Sequence, residues 1–131
     1  MARIPESHRD LLAADVAVLT TVSGDGSPHT TPVWFLADGD TVELSLNTKR
    51  RKTKNLVANP ACGLLILDLS NPYRYLELRG EADITPDPEY VFADKVGAKY
   101  GANLREMDPP GDSRVIVTLR VRKVNAADLS R

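Results

Sequence analysis

The sequence predicts a mainly β protein: an antiparallel sheet closing into a small barrel, with helices packed outside. Two observations carry this. Strand-like stretches follow one another across short turns, "SGDGSP" (Ser23–Pro28), "DGD" (Asp38–Asp40) and "SNP" (Ser70–Pro72), which is hairpin punctuation. Strand–helix–strand units do not recur, so nothing points to a doubly wound parallel sheet. A chain of 131 residues, 42% of them apolar, suits one domain, 1–131, around one core.

In chain order, Pro5–Asp15 reads as a short helix with Ser7 as N-cap and Leu11, Leu12 and Val16 facing a core. Val16–Val22 is β-branched and strand-like. Thr30–Ala37 is a second strand, in which Pro32 cannot donate to a ladder and so marks an edge, a bulge or a place where a ligand approaches. Thr41–Asn47 is a third strand with Val42, Leu44 and Leu46 on one face. A basic helix follows, ending near Asn59-Pro60. Ala61–Leu69 is a fourth strand, apolar on both faces, hence buried on both sides or lying at a subunit contact. Tyr73–Ile84 is a fifth, with Tyr73, Tyr75, Glu77 and Arg79 alternating with Arg74, Leu76, Leu78 and Gly80. Asp87–Gly101 reads as a helix with Asp87 as N-cap, Pro88 at the first helical position and Gly101 as stop. Its apolar stripe is Val91, Phe92, Val96 and Tyr100. Leu104–Asp112 is a loop. Arg114–Val124 is the last strand, with Val115, Val117, Leu119 and Val121 opposite Arg120 and Arg122.

Composition narrows the function. One cysteine, Cys62, excludes an internal disulfide, and with two histidines far apart, His8 and His29, no metal site is expected. No stretch is apolar enough to span a membrane and the N-terminus lacks a signal-peptide core, so a soluble cytoplasmic protein is expected. Net charge is −1, so the chain is no polycation and its one basic run needs a local explanation.

That run is "LNTKRRKTKNLVANP" (Leu46–Pro60), with Lys49, Arg50, Arg51, Lys52 and Lys54 and no acid. Asn47 and Thr48 stand as its N-cap. A helix N-terminus carries roughly half a positive charge, so each cation in the first turn costs about 0.3–1 kcal/mol. Arg50 and Lys54, one turn apart, add a few tenths more. A bound anion removes the conflict, because free N–H groups, the dipole and the side chains converge on one spot. A solvated basic face is the plain alternative. A nucleic-acid surface is a third reading, but aromatics are not interleaved with the run and the whole chain is slightly acidic.

This segment resembles the phosphate-binding stretch of the flavin and deazaflavin split β-barrel family. That family includes pyridoxamine 5′-phosphate oxidase and the actinobacterial oxidoreductases that use coenzyme F420. The matching residues are Asn47-Thr48, the basic pair Arg51-Lys52, Asn55-Leu56 and Asn59-Pro60. Upstream, "GDGSPHTTPVWF" (Gly24–Phe35) is similar to the family's first hairpin; downstream, "NPYRYLELRGEADI" (Asn71–Ile84) is similar to its later strand. The resemblance runs in order from Leu11 to Val124. It implies a six-stranded antiparallel split barrel, a homodimer, and cofactor bound between subunits. It also implies that Arg51 and Lys52, with Arg50, Asn47 and Thr48 beside them, hold the cofactor phosphate. Thr31, Pro32, Val33 and Trp34 then run along the tricyclic ring, and Tyr73, Arg74 and Tyr75 come from the second subunit's wall.

Two departures bear on the cofactor. The end "KVNAADLSR" (Lys123–Arg131) lacks the Arg-x-His with which pyridoxamine oxidases grip substrate. Arg50 stands where FMN-using members often have Ser, and its charge suits the more anionic tail of coenzyme F420. The expectation is therefore hydride transfer from reduced F420 to a small, electron-poor organic substrate, with FMN as the alternative cofactor and a non-catalytic cofactor-binding protein as the alternative role. The sequence shows no nucleophile–base pair and no paired carboxylates. His29 is a candidate proton donor or a surface loop histidine, Tyr73 and Tyr75 would stack on or hydrogen-bond a substrate or pack at an interface, and solvent is the default donor.

Overall fold

The computed structural model describes residues 2–130. A 3-10 helix, Glu6–Ala13, is followed by β1 (Ala17–Val22), β2 (Pro28–Val33), β3 (Leu36–Asp38), β4 (Thr41–Asn47), α1 (Arg51–Ala58), β5 (Ala61–Leu67), β6 (Arg74–Pro86), α2 (Val91–Tyr100), α3 (Leu104–Met107) and β7 (Arg114–Asp128). The strands form one antiparallel sheet in the order β2-β1-β5-β6-β7-β4-β3. The two edge strands, β2 and β3, are neighbours in sequence, separated only by Trp34 and Phe35. A sheet whose outermost strands are joined by two residues must curl until its edges meet, so Trp34-Phe35 is the seam of a split barrel.

The seam explains why there are seven strands instead of six. The expected strand Thr30–Ala37 is continuous in propensity, but Phe35 leaves the ladder. Its ring is fully buried. Its N–H donates to Tyr100 Oη (3.1 Å), and its carbonyl accepts from Tyr100 Oη (3.3 Å) and Lys99 Nζ (2.9 Å). Backbone groups that leave a sheet must find other partners, and here α2 supplies them.

Alternation sets the core. Val42, Leu44 and Leu46 of β4, Leu76 and Leu78 of β6, and Val115, Val117, Leu119 and Val121 of β7 are buried, while Arg120 and Arg122 are exposed. Leu64 and Ile66 of β5 join them; Leu65 is half-buried and Leu67 exposed, so in a single protomer β5 buries one face only. The long β6–β7 pair bends at a bulge after Arg79, where Gly80 crosses so close to β7 that a Cβ would stand 1.9 Å from the Arg120 carbonyl oxygen. Only glycine fits that approach.

The helix ends differ from expectation in instructive ways. The first helix is 3-10 and lacks a side-chain cap; Ser7 Oγ instead meets buried His8 Nδ1 at 2.8 Å, and His8 Nε2 reaches the Ala127 carbonyl. Asp87 does cap α2, accepting from the N–H groups of Phe92 and Ala93, yet it does so from four residues upstream, because Tyr90 takes a left-handed conformation (φ 58°) at the helix start. Val91, expected in the apolar stripe, is therefore exposed. Gly101 ends the helix with φ 64°. Part of the expected loop is the short α3, capped by the Asn103 side chain. No helix among the described residues is long and apolar enough to cross a membrane.

Candidate functional site

A cleft of about 270 Å³ opens beside the seam. The end of β2 gives it Pro32, Val33 and Trp34; the end of β4 gives Ser45, Leu46 and Asn47; the start of α1 gives Arg50 and Lys52; α2, α3 and β7 add Val96, Leu104, Met107 and Arg114. Strand ends, one helix start and a seam converge here because the curl of the sheet brings them to one rim. Pro32 sits on an edge strand paired only with β1, as its missing N–H requires.

The helix start is where the structure departs most from ordinary practice. The N-cap of α1 is Arg50, not Asn47 or Thr48, and no side chain caps the helix. Asn47 Oδ1 instead accepts from the Lys49 N–H (2.9 Å), and the Asn47 carbonyl accepts from Arg50 N–H (3.1 Å) and from Thr53 Oγ1 (2.8 Å). These bonds tighten the turn that delivers the chain into α1. The N–H groups of Arg51, Lys52 and Thr53 are left without a capping acceptor.

Lys52 is buried, with 6% of its surface exposed, and it has no ion pair or hydrogen bond among the described residues. Burial pulls its pKa below the usual lysine range, and the neighbouring Arg50 charge adds to the effect. Arg50, Arg51 and Lys54 are exposed and equally unpaired among the described residues. Lys49 is the exception, at 2.5 Å from Asp112 Oδ1. The Lys52 side chain is packed in, and its ammonium borders the cleft with no anionic partner among the described residues, so an anion at the start of α1 would supply one. On β2, two buried side-chain atoms are without a hydrogen bond, the Thr31 hydroxyl and His29 Nδ1. A phosphate-bearing ring ligand fits this donor set.

Behind the cleft the charges are paired. Arg114 forms a two-pronged bond to Asp108 (2.7 and 2.9 Å) and donates to the Ser45 carbonyl. Tyr90 Oη donates to the same carboxylate (2.7 Å), and Asn47 Nδ2 donates to Asp112 (2.9 Å). The Arg114 guanidinium, joined by Tyr90, holds the Asp108 carboxyl down at about 2.

Of the residues expected at a cofactor site, Pro32, Val33, Trp34, Asn47, Arg50 and Lys52 line the cleft. Thr31, Thr48 and Arg51 adjoin it in sequence without lining it. Tyr73, Arg74 and Tyr75 lie at the start of β6 and do not line it. Tyr73 is exposed and Tyr75 half-buried, while the Arg74 guanidinium is engaged within its own chain by Asp10, Asp68 and the Ser7 carbonyl. Sequence reasoning missed Val96, Leu104, Met107, Arg114 and the seam residues Lys99 and Tyr100. For Arg114 a signal existed, an arginine next to the acidic turn Asp108–Asp112; for the others there was none. Cys62 is half-buried against the core, and burial with the Glu81 charge pushes its thiol up to about 11, an unreactive state.

A curled antiparallel sheet closed at a seam, with an uncapped, cation-bearing helix start beside a partly apolar cleft, defines a split barrel. The pyridoxamine 5′-phosphate oxidase family model matches residues 4–128, and the chain belongs to that family. It is 30% identical over 115 residues to an F420H(2)-dependent biliverdin reductase of Mycobacterium tuberculosis, spanning 87% of this chain and 81% of that protein. A solved structure named F420 reductase superposes with a TM-score of 0.82 at 39% identity, over 93% of this chain and 98% of its own. A conserved hypothetical protein from Mycobacterium tuberculosis shares the fold, with a TM-score of 0.77 at 24% identity over 95% and 85%.

Proposed function

We propose that the protein is a coenzyme F420-dependent reductase acting on a small, electron-poor organic substrate. The observation that carries this reading is Lys52, a buried cation left unpaired at the uncapped start of α1, beside a cleft whose other wall is Pro32–Trp34. The names of the two relatives that are 30% and 39% identical support F420 as the cofactor. Bound here, the reduced deazaflavin would supply a hydride, the chemistry that belongs to the cofactor and not to the protein.

The chain's own residues bind and orient. Lys52, Arg50, Arg51 and the free N–H groups of α1 hold the phosphate, with Asn47 and Thr48 shaping the turn beneath it. The backbone of Pro32, Val33 and Trp34 faces the ring edge, with Thr31 next to them in the strand. Among the described residues this chain's own cleft lining carries no carboxylate, imidazole, thiol or phenol, and water is the default source of the proton that accompanies reduction. A second copy completes the site. The outward residues of β5, Leu65 and Leu67, give the apolar face for that contact, and Tyr73, Arg74 and Tyr75 lie on the part of each protomer that reaches its neighbour. Sedimentation is expected to give a dimer; a monomer that binds cofactor normally would overturn the shared site.

The test of function uses the one tryptophan. Titration with F420 is expected to quench Trp34 saturably, with a much weaker response to FMN, and R51A/K52A is expected to abolish the response without unfolding the protein. Preference for FMN would move the chain to the flavin branch of its family. Binding of neither would overturn the cofactor reading.

A further inference from the structure

The seam of the barrel carries an arrangement the cofactor reading does not require. Trp34 and Tyr100 stack with ring centroids 4.4 Å apart and planes 6° from parallel. Trp34 is 37% exposed and lines the cleft, so one indole face is covered by Tyr100 and the indole still borders the ligand space. The same phenol closes the backbone: its oxygen takes the Phe35 N–H and donates to the Phe35 carbonyl. Lys99 locks the other side, donating to the carbonyls of Phe35 and Ala14 (2.9 and 2.8 Å) with its ammonium 4.1 Å above the Phe35 ring. One turn of α2 thus fixes both the strand break and the only tryptophan.

We propose that Tyr100 is a positioning residue for the ring half of the ligand: it presets the Trp34 indole and the Trp34-Phe35 backbone as a rigid wall, while the anion half at α1 is independent of it. This rests on the cofactor reading above. The physics is preorganisation. A free indole on an edge strand would sample several rotamers and have to be immobilised on binding, whereas a stacked one has paid that cost in folding. The hydroxyl adds the backbone component, since without it the Phe35 N–H loses its partner and the seam loosens.

The test compares Tyr100→Phe, which keeps the stack, with Tyr100→Leu, which removes stack and hydroxyl together. Two ligands are titrated: F420 (with FMN alongside) to report the ring half, and inorganic pyrophosphate to report the anion half alone. Tyr100→Leu is expected to weaken the ring ligand about tenfold and Tyr100→Phe about threefold, with pyrophosphate affinity unchanged in both. Without any ligand, Tyr100→Leu is expected to lose the near-ultraviolet dichroism of the stacked pair and to expose Trp34 to acrylamide, and Tyr100→Phe to restore both. Unchanged ring affinity in a folded Tyr100→Leu would overturn the proposal, as would equal losses for ring ligand and pyrophosphate, which would mark a merely structural role. If Tyr100→Leu does not fold, Tyr100→Phe decides alone: wild-type ring affinity there overturns the backbone component on which the wall depends. A wild type that binds neither F420 nor FMN overturns the functional reading instead; the ligand-free signals then judge Tyr100, and unchanged acrylamide quenching in Tyr100→Leu would refute it.

Discussion

Two cationic sites lie side by side in this molecule and are treated in opposite ways. Asn47 at the end of β4 and Arg114 at the start of β7 are register partners. On the β7 side, the Arg114 side chain is nearly enclosed and paired: Asp108 takes it with two bonds, Tyr90 supports Asp108, and the Ser45 carbonyl accepts a third. On the β4 side, the chain turns directly into α1, and Lys52 is buried with nothing to meet it among the described residues. The acidic turn Asp108–Asp112 reaches far enough to pair Lys49 through Asp112, and it goes no further. Acids were thus at hand within one turn of chain, and the buried lysine was left without one. Pairing ties the Asp108–Asp112 turn to the sheet; the unpaired Lys52 beside the cleft is where the proposed anion would find its partner.

The largest test of that contrast is on the paired side. Asp108→Ala leaves a guanidinium whose side chain is 12% exposed without its carboxylate, and a cost of about 3 kcal/mol is expected, read as a shifted urea midpoint with unchanged slope. Acid asks the same question of the wild type. Asp108 is held at about 2 against an ordinary 3.8. A carboxyl depressed by folding contributes stability above its unfolded value and loses it as pH falls through the folded one. About 2 kcal/mol should therefore disappear between roughly pH 4 and pH 2 and be missing from Asp108→Ala across that range. A variant with wild-type stability, or an unchanged acid limb, would mean the pair is not what secures the loop against β4.

How much of this could be read beforehand depends on the range of the interaction. Alternation in β4, β6 and β7 placed the core correctly, because a half-buried strand writes its environment into every second residue. Gly101 marked the end of α2, and Pro32 left an edge, a bulge or a ligand approach, of which the structure shows the edge, because each residue acts on its own backbone. The seam was invisible: "TTPVWFLA" is locally uniform, and what breaks it is a pair of side chains on α2, some sixty-five positions away in the case of Tyr100. The seventh strand follows from that break. The anion reading of the start of α1 came from its cations, the helix dipole and free N–H groups and from the family resemblance, beside a solvated basic face and a nucleic-acid surface as alternatives. Which cation is turned inward was not legible, since Lys49, Lys52 and Lys54 look alike until helical phase and the curl of the sheet bury the Lys52 side chain. The expectation that Asn47 would cap the helix failed for a related reason: its side chain is taken by Lys49 N–H and Asp112 before the helix begins. Asp87 shows the reverse case, a correct capping residue acting from the wrong distance because Tyr90 absorbs a left-handed turn.

The smaller test is on the unpaired side, and its sign is opposite. Burial and, after it, the neighbouring Arg50 charge both disfavour the charged form of Lys52. Its folded pKa lies below its unfolded one, so the unfolded chain binds the proton more tightly. The penalty is complete below the folded value and fades as pH rises through it toward 10.5. Lys52→Met keeps the length of the side chain and removes the charge, so it is expected to stabilise the ligand-free protein by about 1 kcal/mol. Its advantage over wild type should shrink at alkaline pH, where the wild-type lysine becomes neutral. Pyrophosphate should then raise the melting temperature of the wild type and do little for the variant, because the anion is what the lysine was left open to meet. A destabilised Lys52→Met would show that the ammonium already has its compensation within the fold, and the two neighbouring cationic sites would differ in geometry but not in purpose.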